Sequence, residues 1–139
     1  MRIRIYYEDT DAGGIVYHSN YIKFCERARS EIVFKAGIKF SKDRHFVVTK
    51  LLANYIKPAV LGDILEVKTC LESIGKASLS LNQNIYRTES INQVLKDPEL
   101  LFTAKITVGF MLYGKLGRLE LSWFRCFHLN YKIQIELFS

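Results

Sequence analysis

The sequence predicts an α+β fold, with one long helix packed on an antiparallel sheet of about five strands. Three observations carry that expectation. Apolar residues recur at three- and four-residue spacing in a single stretch near the N-terminus. Later stretches alternate apolar and polar residues at period two. Connections between the strand-like stretches are short and contain glycine, as antiparallel neighbours require.

Residues 2 to 7 open with alternating Arg and Ile and read as a short strand. A loop from Glu8 to Tyr17 follows. Ser19 or Asn20 then caps a helix to about Ala36, with Gly37 as its stop. Tyr21, Phe24, Cys25, Ala28 and Ile32 form the apolar stripe, and Val33 and Phe34 widen it. Lys23, Glu26, Arg27, Ser30 and Lys35 fill much of the remaining surface.

The period then changes. Phe46 to Lys57 is rich in apolar residues and ends at Pro58, the first of four long strands. Leu65, Val67, Thr69 and Leu71 alternate with charged or small residues, and Gly75-Lys76 turns the chain. Leu79, Leu81, Gln83 and Ile85 form the next alternating set. A polar stretch holding Asp97-Pro98 reads as the following connection, before Phe102, Ala104, Ile106, Val108, Phe110 and Leu112. Gly114 to Ser139 carries the Trp, Cys126 and His128 without clear cap or turn logic. An edge strand, an interface segment and a poorly ordered tail all stay open for it.

With 139 residues, the chain suits one domain that buries about two thirds of its unfolded surface. The net charge of +6 favours an anionic partner. Its basic residues are scattered, without a Lys/Arg run or an aromatic-basic motif, so nucleic acid is not expected. The phosphates of a small acidic ligand fit the same charge. Cys25, Cys70 and Cys126 are odd in number and far apart, which points to a reducing cytoplasm. No run of 18 apolar residues suggests a membrane span, and no apolar signal-peptide core opens the chain.

The densest chemistry lies in Tyr7-Glu8-Asp9-Thr10-Asp11-Ala12-Gly13-Gly14-Ile15-Val16-Tyr17-His18-Ser19-Asn20-Tyr21, with Glu26-Arg27-Ala28-Arg29 after it. Asp11, two glycines and His18 fall within eight residues at the predicted helix start. A carboxylate there can activate water beside backbone N–H groups, a combination suited to hydrolysing an activated acyl group. On spacing alone, Asp11 equally fits a loop residue capping the turn, and His18 a cap or surface residue. Gly13 and Gly14 read first as bending devices and then as access for substrate to the N–H groups of Tyr17 and His18. No phosphate-loop pattern is present. Isolated histidines and unpaired cysteines offer no metal-ligand spacing, so no metal is expected. Cys25 lies on the stripe and reads as core rather than nucleophile.

Residues 2 to 113 closely resemble the 4-hydroxybenzoyl-CoA thioesterase family, and within it the short acyl-CoA thioesterases associated with the Tol-Pal system. Ile56-Lys57-Pro58-Ala59-Val60-Leu61-Gly62-Asp63-Ile64-Leu65-Glu66-Val67 resembles that family's second recurrent stretch. The segment from Gly114 does not resemble the family's usual ending. The resemblance implies a hotdog fold and hydrolysis of acyl-CoA without a cofactor, with an acyl carrier protein as the other possible thioester carrier. It places the catalytic carboxylate at Asp11, leaves Asp9 a loop-shaping role, and puts a functional histidine at His18. Tyr17, His18 and Gly14 become substrate-positioning residues, with N–H groups at the helix start as oxyanion donors. It sets Lys76 near the coenzyme A phosphates, where a plain turn residue is the alternative. For Glu26, Arg27 and Arg29, a solvated face stands beside a buried or inter-subunit ion pair. The assembly implied is a dimer of dimers with sites between subunits. Asp11 acts as general base or as nucleophile through a mixed anhydride. Two rivals stay open: a dehydratase or hydratase on the same fold, and a non-catalytic acyl-binding or envelope-associated protein.

Overall fold

The structure, a computed structural model, describes residues 1–91 and 93–117. In chain order come strand β1 (Arg2–Arg4), a 3-10 turn (Tyr7–Asp9), helix α1 (His18–Lys35) and strands β2 (Arg44–Tyr55), β3 (Ile64–Ile74), β4 (Ser78–Ser90), β5 (Gln93–Leu112) and β6 (Lys115–Leu116). The strands form one sheet in the order β1-β3-β4-β5-β2, with β6 paired to β5. β1 lies antiparallel to β3 in the register Arg2↔Glu66, Ile3↔Leu65, Arg4↔Ile64.

The first strand is shorter than the sequence pattern suggests. The Ile5 N–H still donates to the Asp63 carbonyl, but the Tyr6 N–H donates to Asp9 Oδ2 at 2.9 Å. That side-chain bond folds the chain into the 3-10 turn and ends the pairing.

Helix α1 starts at His18, earlier than a cap at Ser19 or Asn20 would set it. Asn20 instead sends its amide Nδ2 to the Asp9 carbonyl at 2.9 Å, tying the loop to the first turn. Gly37 stops the helix as expected. Its φ of +73° lies in the left-handed region, its N–H donates to Phe34, and the Ile38 N–H donates to Val33. These two bonds make the Schellman pattern that satisfies terminal carbonyls. Tyr21, Phe24, Cys25, Ala28 and Val33 are buried, but Phe34 is exposed. At about 100° per residue, Phe34 falls roughly opposite Tyr21 on the helix. Glu26 and Arg27 are exposed on this chain and Arg29 is half-buried.

Strand β5 runs straight through Asp97-Pro98, the stretch the sequence reads as a connection. The chain reverses instead at Ile91, a turn with neither glycine nor proline to announce it. β2 ends at Tyr55, and the Ile56 and Lys57 N–H groups both donate to the Leu101 carbonyl. Pro98 thus lies beyond the end of β2, on a stretch of β5 that keeps β4 as its neighbour.

The chain divides into two compact units, to which α1 and several strands each contribute a length. The first comprises Met1–Ala28, Ala53–Lys68 and Gln83–Ala104. In it the Tyr21 ring stacks on Phe102 at 5.3 Å, and buried Gln83 donates to the Cys25 carbonyl at 3.0 Å. Ile5, Leu65, Ile85, Leu101 and Phe102 complete this core. The second is built from Arg29–Leu52, Thr69–Asn82 and the residues from Lys105 onward. Its core holds Val33, Leu79, Leu81, Ile106 and Phe110, with Phe46 edge-on to Phe110 at 6.0 Å. The two-residue turn Tyr113-Gly114 leads into β6, so the C-terminal segment begins as an added strand. Trp123, Cys126 and His128 lie outside the described residues.

Candidate active site

The loop between β1 and α1 is a web of short-range bonds. The Asp11 N–H donates to the Ile15 carbonyl at 2.9 Å, and Thr10 bridges Val16. The Gly13 N–H donates to Asp11 Oδ1 at 2.8 Å, while the Gly14 N–H reaches the Asp11 carbonyl at 3.0 Å. Gly14 has φ +80°, a conformation that L side chains rarely adopt. A Cβ on Gly13 would sit 3.1 Å from Asp11 Oδ1, so the glycine leaves room for that carboxylate. Asp9 shapes the loop as expected, accepting from the Tyr6 N–H through its side chain and from the Tyr17 N–H through its carbonyl.

This loop lies on the segment after β2. The Val16 N–H donates to the Ala59 carbonyl at 2.9 Å, and Ile15 bridges Val60. Together they frame a cavity of about 400 Å³ lined by Asp11, Ile15, Val16, His18, Tyr21, Tyr55, Ile56, Lys57 and Pro58. Asp11 and His18, seven residues apart in sequence, therefore share one cavity at the start of α1.

Aromatic rings surround His18. Its imidazole lies 4.5 Å from the Tyr17 ring and 6.4 Å from the Tyr55 ring, edge-on to the latter. The Tyr55 hydroxyl donates to the His18 carbonyl at 2.8 Å. The Tyr21 hydroxyl accepts the Ala59 N–H at 2.9 Å. Burial pushes both phenols above the usual tyrosine range, with the Ala59 N–H partly offsetting the rise at Tyr21. Both therefore stay protonated near neutral pH.

The Tyr17 N–H, a candidate oxyanion donor, is engaged by Asp9. The N–H groups of His18 and Ser19, in the first turn, are left as the donors there. Gly14 and Tyr17 are exposed and do not line the cavity. Lys76 is exposed in the β3–β4 turn, in the second unit, and lines no part of this cavity. Tyr21, Tyr55, Ile56, Lys57 and Pro58 are lining residues that the loop motif does not indicate. β2 ends at Tyr55, and the Pro58 break that closes the apolar stretch from Phe46 to Lys57 is the signal that marks the segment from Tyr55 to Pro58. Among the described residues no group of His, Cys, Asp and Glu is arranged to hold a metal ion.

Comparisons with known proteins bear on the family and the fold. The family model of the thioesterase superfamily matches residues 13–92. The acyl-CoA thioesterase YbgC of Helicobacter pylori is 40% identical over 112 residues, covering 80% of this chain and 84% of that protein. The acyl-CoA thioester hydrolase YbgC of Escherichia coli O6:H1 is 42% identical over 103 residues, 71% of this chain and 75% of its own. A crystal structure of a 4-hydroxybenzoyl-CoA thioesterase mutant complexed with 4-hydroxybenzoyl-CoA superposes with a TM-score of 0.79 at 18% identity. It covers 91% of this chain and 95% of that one, which identifies the fold as hotdog. A carboxylate loop at a helix start, that fold and a family match across more than half its length lead to one assignment: the chain belongs to the thioesterase superfamily.

Proposed function

We propose that this protein hydrolyses acyl-CoA thioesters in the cavity between the Asp11 loop and Pro58. The observation that carries the reading is the placement of Asp11 and His18 in one cavity at the N-terminus of α1. Asp11 takes a proton from water as the new C–O bond forms. Direct attack by its carboxylate, giving a mixed anhydride, is the second route the geometry permits. The developing oxyanion is met by N–H groups of the first helical turn, where the helix dipole favours negative charge. His18 orients the thioester carbonyl. Collapse of the intermediate breaks the C–S bond and releases the thiolate of coenzyme A. The apolar walls supplied by Ile15, Val16 and Tyr55 receive the acyl group.

Lys76, exposed in its turn, is our candidate for a coenzyme A phosphate, in keeping with the net charge of +6. We place the protein in the cytoplasm because its three cysteines are odd in number and far apart in sequence, which offers no disulfide framework. Among the described residues, no helix is long and apolar enough to cross a membrane. A dimer of dimers is the assembly we favour, since β2 closes one end of the sheet order and exposes Val48 and Leu52.

Thiol release across an acyl-CoA chain-length series tests the assignment, with acyl carrier protein thioesters as a parallel substrate set. Asp11→Asn removes the proton acceptor and lowers turnover by about 10²–10⁴-fold. His18→Ala in the same assay gives a smaller loss. Wild-type turnover by a folded Asp11→Asn protein overturns the reading. Ligand binding without thiol release would favour an acyl-binding role instead.

A further inference from the structure

Four charged side chains in the first unit form a continuous chain that ends at Lys57, a residue of the cavity wall. Arg87 Nη1 contacts Asp63 Oδ2 at 2.7 Å. Its Nη2 and Nε both donate to Glu99 Oε2, at 2.9 and 3.1 Å. The other oxygen of Glu99 accepts Lys57 Nζ at 2.8 Å. Asp63 is fully buried and Arg87 largely so, which keeps water from competing for the guanidinium. Burial opposes the charge on Arg87, yet the bonds to Glu99 and Asp63 more than offset it.

These contacts fall at the two ends of one short segment, Lys57 to Asp63. Between the ends, Asp63 Oδ2 also accepts the Val60 N–H at 3.0 Å. Ala59 and Val60 are the residues on which the catalytic loop is built, through Val16 and Ile15. Ile15 in turn accepts the Asp11 N–H. Arg87 does not line the cavity, so whatever it does for the reaction it does through this segment.

We propose that Arg87 is a positioning residue for thioester hydrolysis. By holding Asp63 with one arm and Glu99 with the other, it fixes both ends of Lys57–Asp63 and so sets the position of the loop carrying Asp11. The role needs a planar fork with separate donors. A lysine ammonium is a single point and holds one end well or neither. The inference rests on the cavity being the hydrolytic site.

The test compares Arg87→Lys, Arg87→Met/Asp63→Asn and Glu99→Gln, with the first two also made on Asp11→Asn. The double substitution avoids stranding a buried carboxylate, and circular dichroism reports whether each variant folds. With the best substrate of a straight-chain acyl-CoA series, kcat of Arg87→Met/Asp63→Asn falls about ten- to a hundredfold, while KM stays within about twofold. Arg87→Lys recovers part of the loss. On Asp11→Asn, where the reacting carboxylate is already gone, the same substitutions add no further loss. The proposal is overturned by a folded Arg87→Met/Asp63→Asn protein with kcat within about twofold of wild type, by an effect confined to KM, or by the same fold-loss on Asp11→Asn. If that double variant does not fold, Glu99→Gln decides, since it frees the Lys57 end alone. A severalfold lower kcat supports the clamp and an unchanged kcat overturns it. Should Asp11→Asn alone keep wild-type turnover, the base assignment falls, and the kcat of Arg87→Met/Asp63→Asn still decides whether the clamp places the loop.

Discussion

Tyr21 shows how one side chain can serve core and cavity together. Its ring stacks on Phe102, while its hydroxyl holds the N–H of Ala59, whose carbonyl accepts from Val16 of the Asp11 loop. Replacing it by Phe strands that N–H, at a cost of about 1–3 kcal/mol near neutral pH. The advantage shrinks in alkali. Burial raises the folded-state pKa above its ordinary 10.0, so the unfolded chain loses the proton first. The stability tied to that proton is full below about pH 10 and drains away as pH rises through the raised folded value. Urea midpoints measured against pH therefore show wild type more stable than Tyr21→Phe at neutrality, with a gap that narrows above pH 10. A gap of constant size would contradict the burial argument. Asp11 and His18 were legible in the sequence because acid, glycines and imidazole crowd one short loop. Tyr21 was legible only as helix stripe, since nothing local to it reports that Ala59, 38 residues on, would meet its hydroxyl. Lys57 and Arg87 were hidden for the same reason, their partners being distant in sequence.

At the scale of elements, the ends of α1 contrast. Its C-terminus was readable because a left-handed residue followed by an apolar one is the Schellman signature, and Gly37-Ile38 supplies both. Gly37→Ala forces an L residue to φ near +73° and costs about 1–2 kcal/mol. The thermal midpoint falls by several degrees while circular dichroism keeps its helical content. An unchanged midpoint would mean that the helix ends another way. The N-terminus was misplaced because Ser19 and Asn20 are both good caps by type, yet Asn20 serves Asp9 from within the first turn. The β4–β5 hairpin was misread for a related reason. Proline is a strong breaker signal, but Pro98 occupies a stretch of β5 that outruns β2, whereas the reversal at Ile91 is marked only by its neighbours Ser90 and Asn92, weaker turn signals than glycine or proline.

For the whole molecule, the short connections at Gly62-Asp63 and Gly75-Lys76 read as a meander, but only β3-β4-β5 follow chain order. β2 lies beside β5 rather than β3, and β1 takes the place next to β3, a crossover that no local turn signal reports. The family resemblance supplied the hotdog fold. The residues from Arg118 onward lie outside the described part, so the role left open for them stays open. Among the described residues β2 has one neighbour in the sheet, and it presents Val48 and Leu52 to solvent on a single chain. Pairing this edge with a second copy would cover both its backbone groups and its apolar side chains. Light scattering at micromolar concentration is thus expected to give a dimer or tetramer. Thiol release per chain declines as the protein is diluted and the assembly dissociates. A monomer with full activity would remove both the assembly and the shared site.

The pairing of β1 with β3 has a further consequence, for the order in which the protein is made. Arg2 sits opposite Glu66, and the Asp11 loop follows β1 directly. A ribosome therefore delivers the Asp11 loop before its supports, which follow much later. Residues 59 and 60 must emerge before the loop has a surface to lie on, and Arg87 and Glu99 must emerge before that surface is fixed. Until then the nascent chain exposes the apolar stripe of α1 without a sheet to cover it, a period in which chaperones would find it. Contacts this distant in sequence also make for slow folding, because the chain must close long loops before their contacts reward it. The candidate site is thus encoded early but assembled last, and an incomplete chain carries the motif without its supports.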